Sequence, residues 1–245
     1  QDEVFLRRVY LDLTGKIPTT DEILAFKNEG KNKRTQKISE LLNSDAYLDY
    51  WSGVWTNWLI GQEQNNQTDV QEGLQTWVRA QFANNTPYDE FVSRLITASG
   101  DTRQNGASYY IRRYNASPVD LTAHISRLFL GLPMHCVQCH DHKTEAWYQE
   151  DYYNMAAFLT NVKSKGIYQN DVNGNRRIVG YDIVDEHEGS ISIPGESKNS
   201  QPILLDGTKY NGPQKKKREV LAKWITDKKN PYFSVIETKN NKIQL

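Results

Sequence analysis

The chain has 245 residues, of which 38% are hydrophobic and 24% charged, and its 30 basic residues balance 30 acidic ones. This length is enough for one globular domain with a core of its own, and the balanced charge argues against nucleic acid or anionic lipid as a general electrostatic partner. No apolar run approaches the roughly 20 residues needed to span a bilayer, so no membrane span is expected.

The first 160 residues carry the apolar spacing of α-helices. A first helix is predicted over residues 4–13, ending at Gly15 and Pro18. Thr19 followed by Glu22 forms a capping box that predicts the start of the second helix. Further helices are predicted around residues 38–42, after the N-cap residue Ser44, over 70–83 and over 88–98, with Trp51, Trp55 and Trp58 in a hydrophobic core seam.

Residues 100–115 lack a clear period and are predicted to form a loop. Ser117 followed by Pro118 predicts the start of another helix, which Gly131 and Pro133 end. A helix over 149–161 and one over about 213–226 complete the helical elements.

The predicted fold class is mainly α, an irregular helical domain with a small β insertion at about 166–205, where β-branched and aromatic residues alternate with turn residues. Residues 1–233 are expected to form a single domain, and 234–245 a tail or the start of a truncated following domain.

The strongest functional signal is a CxxCH motif. The only two cysteines of the chain, Cys136 and Cys139, lie three positions apart, and His140 follows directly. Chance alone would produce this arrangement on the order of once in several thousand such chains. The pattern is typical of covalent haem attachment, in which two thiols bind the vinyl groups of haem and the histidine binds iron as the proximal ligand.

Three other interpretations of the motif stay open, one of which is a pair of buried structural thiols. Cys136 and Cys139 alone could form a disulfide in a binding module, although redox-active CxxC pairs usually open a helix after a strand. The two cysteines with His140 and His142 could instead hold a structural zinc ion, with His124 or His187 as a further ligand. Four ligands within seven residues would strain that tetrahedral site.

A sixth iron ligand would come from elsewhere in the chain, and the distal candidates are His124 and Met155 on the flanking helices. His142 and Asp141 are assigned to the surroundings of haem, where they hydrogen-bond a propionate or orient His140. An open distal side would favour a haem peroxidase or ligand sensor.

Four segments carry a resemblance to a known family: FLRRVYLDLTGKIPT at 5–19, SRLFLGLPMHCVQCHDH at 126–142, AWYQEDYYNMAAFL at 146–159 and REVLAKWITDKKNPYF at 218–233. In these the chain resembles the planctomycete-type cytochrome domain family of large exported proteins. The resemblance implies haem attachment at Cys136, Cys139 and His140. His142, Trp147, Asp151, Tyr152 and Tyr153 match a characteristic continuation of unestablished role, and Lys143 departs from the usual proline.

These observations together predict a c-type cytochrome domain with one covalent haem c that transfers single electrons. Electron transfer is favoured over catalysis, and the partner is expected to be a redox protein or a neighbouring domain of the same polypeptide. Thioether attachment of haem takes place outside the cytoplasm, so the periplasm, the cell surface or secretion is expected.

Overall fold

The computed structural model describes residues 2–61 and 68–232, with side chains over 2–61 and 70–232. Ten α-helices dominate these described residues, and a small sheet accompanies them, which confirms the predicted mainly α fold. The helices are α1 (Asp2–Thr14), α2 (Thr20–Asn28), α3 (Lys33–Leu42), α4 (Asp45–Ile60), α5 (Thr68–Ala83), α6 (Tyr88–Ile96), α7 (Ser108–Arg113), α8 (Pro118–Phe129), α9 (Gln149–Ala156) and α10 (Lys217–Ile225).

The starts of three helices follow from local capping chemistry. The Thr19 hydroxyl accepts a hydrogen bond from the Glu22 amide, and the Glu22 carboxylate accepts one from the Thr19 amide, which completes the predicted capping box of α2. The hydroxyls of Ser44 and Ser117 accept from amides in the first turns of α4 and α8. The predicted starts of all three helices are confirmed.

The sheet contains three antiparallel strands in the order β1 (Gly100–Asp101), β3 (Arg176–Asp185) and β2 (Val162–Asn170). Strands β2 and β3 form an antiparallel hairpin, which confirms the predicted small β insertion, although the hairpin spans 162–185 and the insertion was predicted at about 166–205. The segment 100–115 differs from its predicted loop, because it contributes both β1 and helix α7. Two residues suffice for β1 because they pair with Ile183 and Asp182 of β3.

The buried side chains form two clusters. A small cluster consists of Leu6, Tyr10, Phe26 and Leu41 from helices α1, α2 and α3. The main core runs from α4 to α10 and includes the hairpin. The predicted tryptophan seam is right for Trp55, which is 5% exposed, and wrong for Trp58, which is 46% exposed.

The CxxCH motif lies between α8 and α9, as the sequence predicts. Helix α8 ends at Phe129, and Gly131 then adopts a positive φ of 68°, a conformation that glycine adopts without strain. A short 3₁₀ helix, Met134–Gln138, follows and packs against both α8 and α9. Helix α9 ends earlier than predicted, at Ala156, and continues as a 3₁₀ turn over Ala157–Leu159.

The division at residue 233 stays a prediction, since 233–245 lie outside the described residues. None of the helices in the described residues is long and apolar enough to cross a bilayer.

Candidate haem attachment site

The cysteines and the histidine of the motif lie on one turn at the surface. The amide nitrogen of Cys139 lies 3.5 Å from the carbonyl oxygen of Cys136, across the end of the 3₁₀ helix Met134–Gln138. Val137 between them is fully buried in the main core, whereas Cys136, Cys139 and His140 are exposed. Both cysteines are free thiols. The core therefore anchors the turn while its three reactive side chains stay accessible.

Helix α9 holds this turn through the carbonyl oxygen of Gln138. That oxygen accepts a hydrogen bond of 2.9 Å from Nε2 of Gln149 and one of 3.4 Å from the Tyr153 hydroxyl. The neighbouring Tyr152 hydroxyl donates to the carbonyl of Val119 in α8, at 2.6 Å. Burial, followed by the nearby Cys139, raises the pKa of Tyr153. Both tyrosines thus stay protonated donors; Tyr153 connects the motif to α9, and Tyr152 connects α9 to α8.

His140 has a defined tautomer. Its Nδ1 lies 2.7 Å from the carbonyl oxygen of Asp141. A carbonyl oxygen only accepts hydrogen bonds, so Nδ1 carries a proton, and in the neutral ring Nε2 then carries the lone pair. A histidine whose Nδ1 donates to a backbone carbonyl is oriented to bind a metal through Nε2.

His142, two residues further on, has the opposite tautomer. Its Nδ1 accepts hydrogen bonds from the backbone amides of Glu145, at 3.0 Å, and Thr144, at 3.3 Å. Because both partners are donors, Nδ1 carries the lone pair and the proton lies on Nε2. The amide of His142 in turn donates to the carbonyl of Trp147, at 2.8 Å. His142 thus closes the loop that joins the motif to α9.

The acidic residues near the motif cap helix α9. The carboxylate of Asp141 accepts from the amide of Gln149 at 2.8 Å, and that of Asp151 accepts from the amide of Tyr148 at 2.9 Å. Negative charge at a helix N-terminus also interacts favourably with the helix dipole. These two carboxylates therefore have a structural role that accounts for their position.

Trp147 lies at the end of the motif loop and is partly buried. Its ring packs edge-on against Tyr232, with 5.9 Å between the ring centroids. Tyr232 is the last residue that the structure describes. Trp147 therefore joins the motif loop to the end of the described chain.

His124, the first distal candidate, lies on another side of α8. It is 8% exposed, its Nδ1 is 3.3 Å from the hydroxyl of Tyr110 in α7, and its ring packs on Tyr114, just after α7. Burial and the charge of Arg127 lower its pKa to about 4, against the effect of a contact with the Trp58 backbone. That contact falls outside regular hydrogen-bond geometry.

The helical geometry of α8 separates His124 from the motif. Val119, which accepts from Tyr152 on the motif side, is five positions earlier and so about 140° away around the helix axis. The side chain of His124 therefore faces α7, and the structure does not bring it to the motif.

Met155, the second distal candidate, is 1% exposed within the main core. It follows Tyr153, which reaches Gln138, by two positions and therefore about 200° around α9. The structure does not bring its side chain to the motif either. The identity of a distal ligand stays a prediction.

The donor set of the site contains the kinds of group that a covalent haem needs. Among the described residues no group of three or more His, Cys, Asp or Glu side chains is arranged to hold a metal ion. Covalent haem needs two accessible thiols on one turn and one imidazole nitrogen with a free lone pair, and Cys136, Cys139 and His140 supply them.

The resemblance singled out the motif and Tyr153, but the sequence did not show that Tyr153 and Gln149 hold the motif. Gln149 and Tyr153 bind the carbonyl of Gln138, and the two histidines differ in tautomer. The spacing of Gln149 and Tyr153, four positions apart on a predicted helix, was the available signal for a shared face.

Comparisons with known proteins match the chain to one family. Residues 1–164, more than half of the chain, match PSCyt2, described as a protein of unknown function (DUF1549). No curated protein and no solved structure matches the chain.

Proposed function

The chain belongs to the PSCyt2 family, a planctomycete-type domain family of unknown function, and we propose that it is a c-type cytochrome domain with one covalent haem c. Cys136 and Cys139 would carry the thioether bonds, and His140 would hold the iron as proximal ligand. The observation that supports this most is the combination of two exposed thiols on one turn with an imidazole whose Nδ1 donates to a backbone carbonyl.

The surroundings of the motif suit a fixed attachment point. Val137 is fully buried, and the carbonyl of Gln138 has two donors from α9, so the backbone between the cysteines has little freedom to move. When bound, the haem supplies reversible one-electron exchange between Fe(III) and Fe(II). The protein contributes the orientation of His140 and the polar loop around it.

The exposed motif also favours exchange of electrons with another protein surface. Cys136, Cys139 and His140 are all exposed in the described chain, so a haem held there would have an accessible edge. We propose a redox protein, or a neighbouring domain of the same polypeptide, as the partner. Because thioether attachment takes place outside the cytoplasm, we also propose an extracytoplasmic location.

A second candidate function is binding of a small ligand at the iron, as in a sensor or a peroxidase. The observation that favours it is the placement of His124 and Met155, both of which are buried away from the motif. If neither His124 nor Met155 reached a bound haem, the iron could take a small added ligand in their place. A low-spin spectrum without response to carbon monoxide would speak against this candidate.

The test is to produce the chain with an export signal in a host that has haem-maturation machinery. We expect the intact mass of protein plus one haem and the pyridine haemochrome spectrum of a thioether-linked haem. The double variant Cys136→Ala, Cys139→Ala should carry no covalent haem, whereas the variant His187→Ala, at an exposed histidine outside the motif, should load like the parent.

The other interpretations of the motif give different results in this test. Stoichiometric zinc with the mass of the unmodified chain would indicate a structural metal site. A mass lower by two hydrogen atoms and no metal would indicate a disulfide-stabilised module. Either result would overturn the cytochrome proposal.

A further inference from the structure

The side chain of His142 accepts hydrogen bonds from two backbone amides of the loop after the motif. We infer that His142 is a positioning residue of the haem site: its Nδ1 organises the loop after the motif, and its Nε2–H is a donor for a carboxylate of the attached haem. Only the donor role rests on the proposed function, because the loop role concerns hydrogen bonds within the chain itself.

The tautomers of the two histidines separate their roles. Nδ1 of His140 donates to the Asp141 carbonyl, which leaves the Nε2 lone pair for iron. Nδ1 of His142 accepts from the amides of Glu145 and Thr144, which leaves a proton on Nε2. A nitrogen that carries its proton donates a hydrogen bond and does not bind a metal. His142 is therefore excluded as an iron or zinc ligand in this loop conformation.

The loop role of His142 extends to the orientation of His140. His142 binds both ends of the loop, since its side chain accepts from Glu145 and its amide donates to Trp147. Asp141, between the two histidines, provides the carbonyl that orients His140 and a carboxylate that accepts from Gln149 in α9. Loss of the His142 bonds would therefore free the segment that carries the Asp141 carbonyl.

The donor role follows from what surrounds Nε2. The side chain of His142 is partly exposed, and no group among the described residues accepts a hydrogen bond from Nε2. Haem carries two propionate carboxylates, which are strong acceptors, and a haem attached at Cys136 and Cys139 would lie beside this loop. Lys143, the next residue, is exposed and adds positive charge at the same place.

Two substitutions separate the functions of the two ring nitrogens. His142→Asn keeps an acceptor near the position of Nδ1 and removes the distal donor, whereas His142→Gln keeps a donor near Nε2 and removes the acceptor. The first readout is amide hydrogen exchange of Thr144 and Glu145 in the full chain. We expect about tenfold faster exchange in His142→Gln, the size expected for one lost hydrogen bond, and nearly parental exchange in His142→Asn.

The second readout is the midpoint potential of the haem-loaded chain. His142→Asn should lower it, because a propionate without its donor keeps more negative charge near the iron and favours Fe(III). His142→Gln should retain the donor and a potential closer to that of the parent. His187→Asn and His187→Gln, at an exposed histidine, are the matched controls and should leave both readouts unchanged.

The outcomes distinguish this inference from the proposed function. Equal amide exchange in the parent and both variants would overturn the loop role, whether or not haem is attached. A loaded protein whose potential does not respond to His142→Asn would overturn the donor role. Failure of the parent to attach haem would overturn the proposed function and the donor role and leave the loop role to stand on the exchange data.

Discussion

At the scale of single residues, the buried His124 makes the stability of the fold depend on pH. Its ring lies against Tyr110 and Tyr114, and burial and the charge of Arg127 lower its pKa to about 4 from an unfolded value near 6.5. Between these values the unfolded chain binds a proton that the folded chain does not. The stability of the fold therefore decreases as the pH falls from about 6.5 toward 4.

We predict that the free energy of unfolding drops by about 2 kcal/mol between pH 7 and pH 5 through His124 alone. The variant His124→Phe, which cannot titrate, should lose that part of the pH dependence even if it is less stable at neutral pH. Urea unfolding at the two pH values measures the difference. The exposed His187, replaced by Gln, is the control, and a parental slope in His124→Phe would contradict the prediction.

At the scale of elements, one buried arginine joins three parts of the fold. Arg218 in α10 forms a bidentate pair with Asp185 at the end of β3. Its Nη1 donates to the carbonyls of Ile96, the last residue of α6, at 2.9 Å and of Ala98 at 2.7 Å. Its side chain is 3% exposed. Because guanidinium presents several donors in a fixed plane, it satisfies all these acceptors at once.

We predict that Arg218→Met lowers the free energy of unfolding by about 3 kcal/mol, since it leaves a carboxylate and two carbonyls without their donor. Urea denaturation of the full chain is the measurement. Arg79→Met is the matched control. Arg79 also forms ion pairs, with the carboxylates of Asp45 and Asp49, but its side chain is 38% exposed. Solvent screens such surface pairs, so the control should change little.

At the scale of the whole molecule, the two hydrophobic clusters differ in size. The cluster of α1, α2 and α3 has four buried residues, whereas the buried residues of the main core come from every helix from α4 to α10. Leu13 packs against both clusters and connects them. A small cluster buries little apolar surface, so the first three helices should open at a lower free energy than the rest of the fold.

We predict that Leu6→Ala lowers the stability of this cluster by about 2–4 kcal/mol, because Leu6 is fully buried in it. Hydrogen exchange should accelerate throughout α1, α2 and α3 and stay unchanged in α8 and α9. Leu11→Ala in the same helix is the control, since Leu11 is 37% exposed. Equal acceleration in α8 and α9 would show instead that the described chain opens as one unit.

Much of the helical architecture could be predicted because its signals are local. The caps at Thr19, Ser44 and Ser117 act within one turn, and they confirm helix starts that a few neighbouring residues specify. Strand β1 could not be predicted in this way. Its residues Gly100 and Asp101 have no strand pattern of their own and become a strand only because β3, some 80 residues later in the sequence, pairs with them.

The candidate site likewise combines features that are local in sequence with features that depend on the folded chain. The sequence by itself determined Cys136, Cys139 and His140 as one chemical unit, because their spacing places them on a single turn wherever that turn lies. Only the tertiary structure decided the opposite tautomers of His140 and His142, the anchoring of the turn by α9 and the burial of His124 and Met155 away from it. These properties depend on contacts between segments distant in sequence or on backbone groups of a folded loop, which form only once the chain has folded.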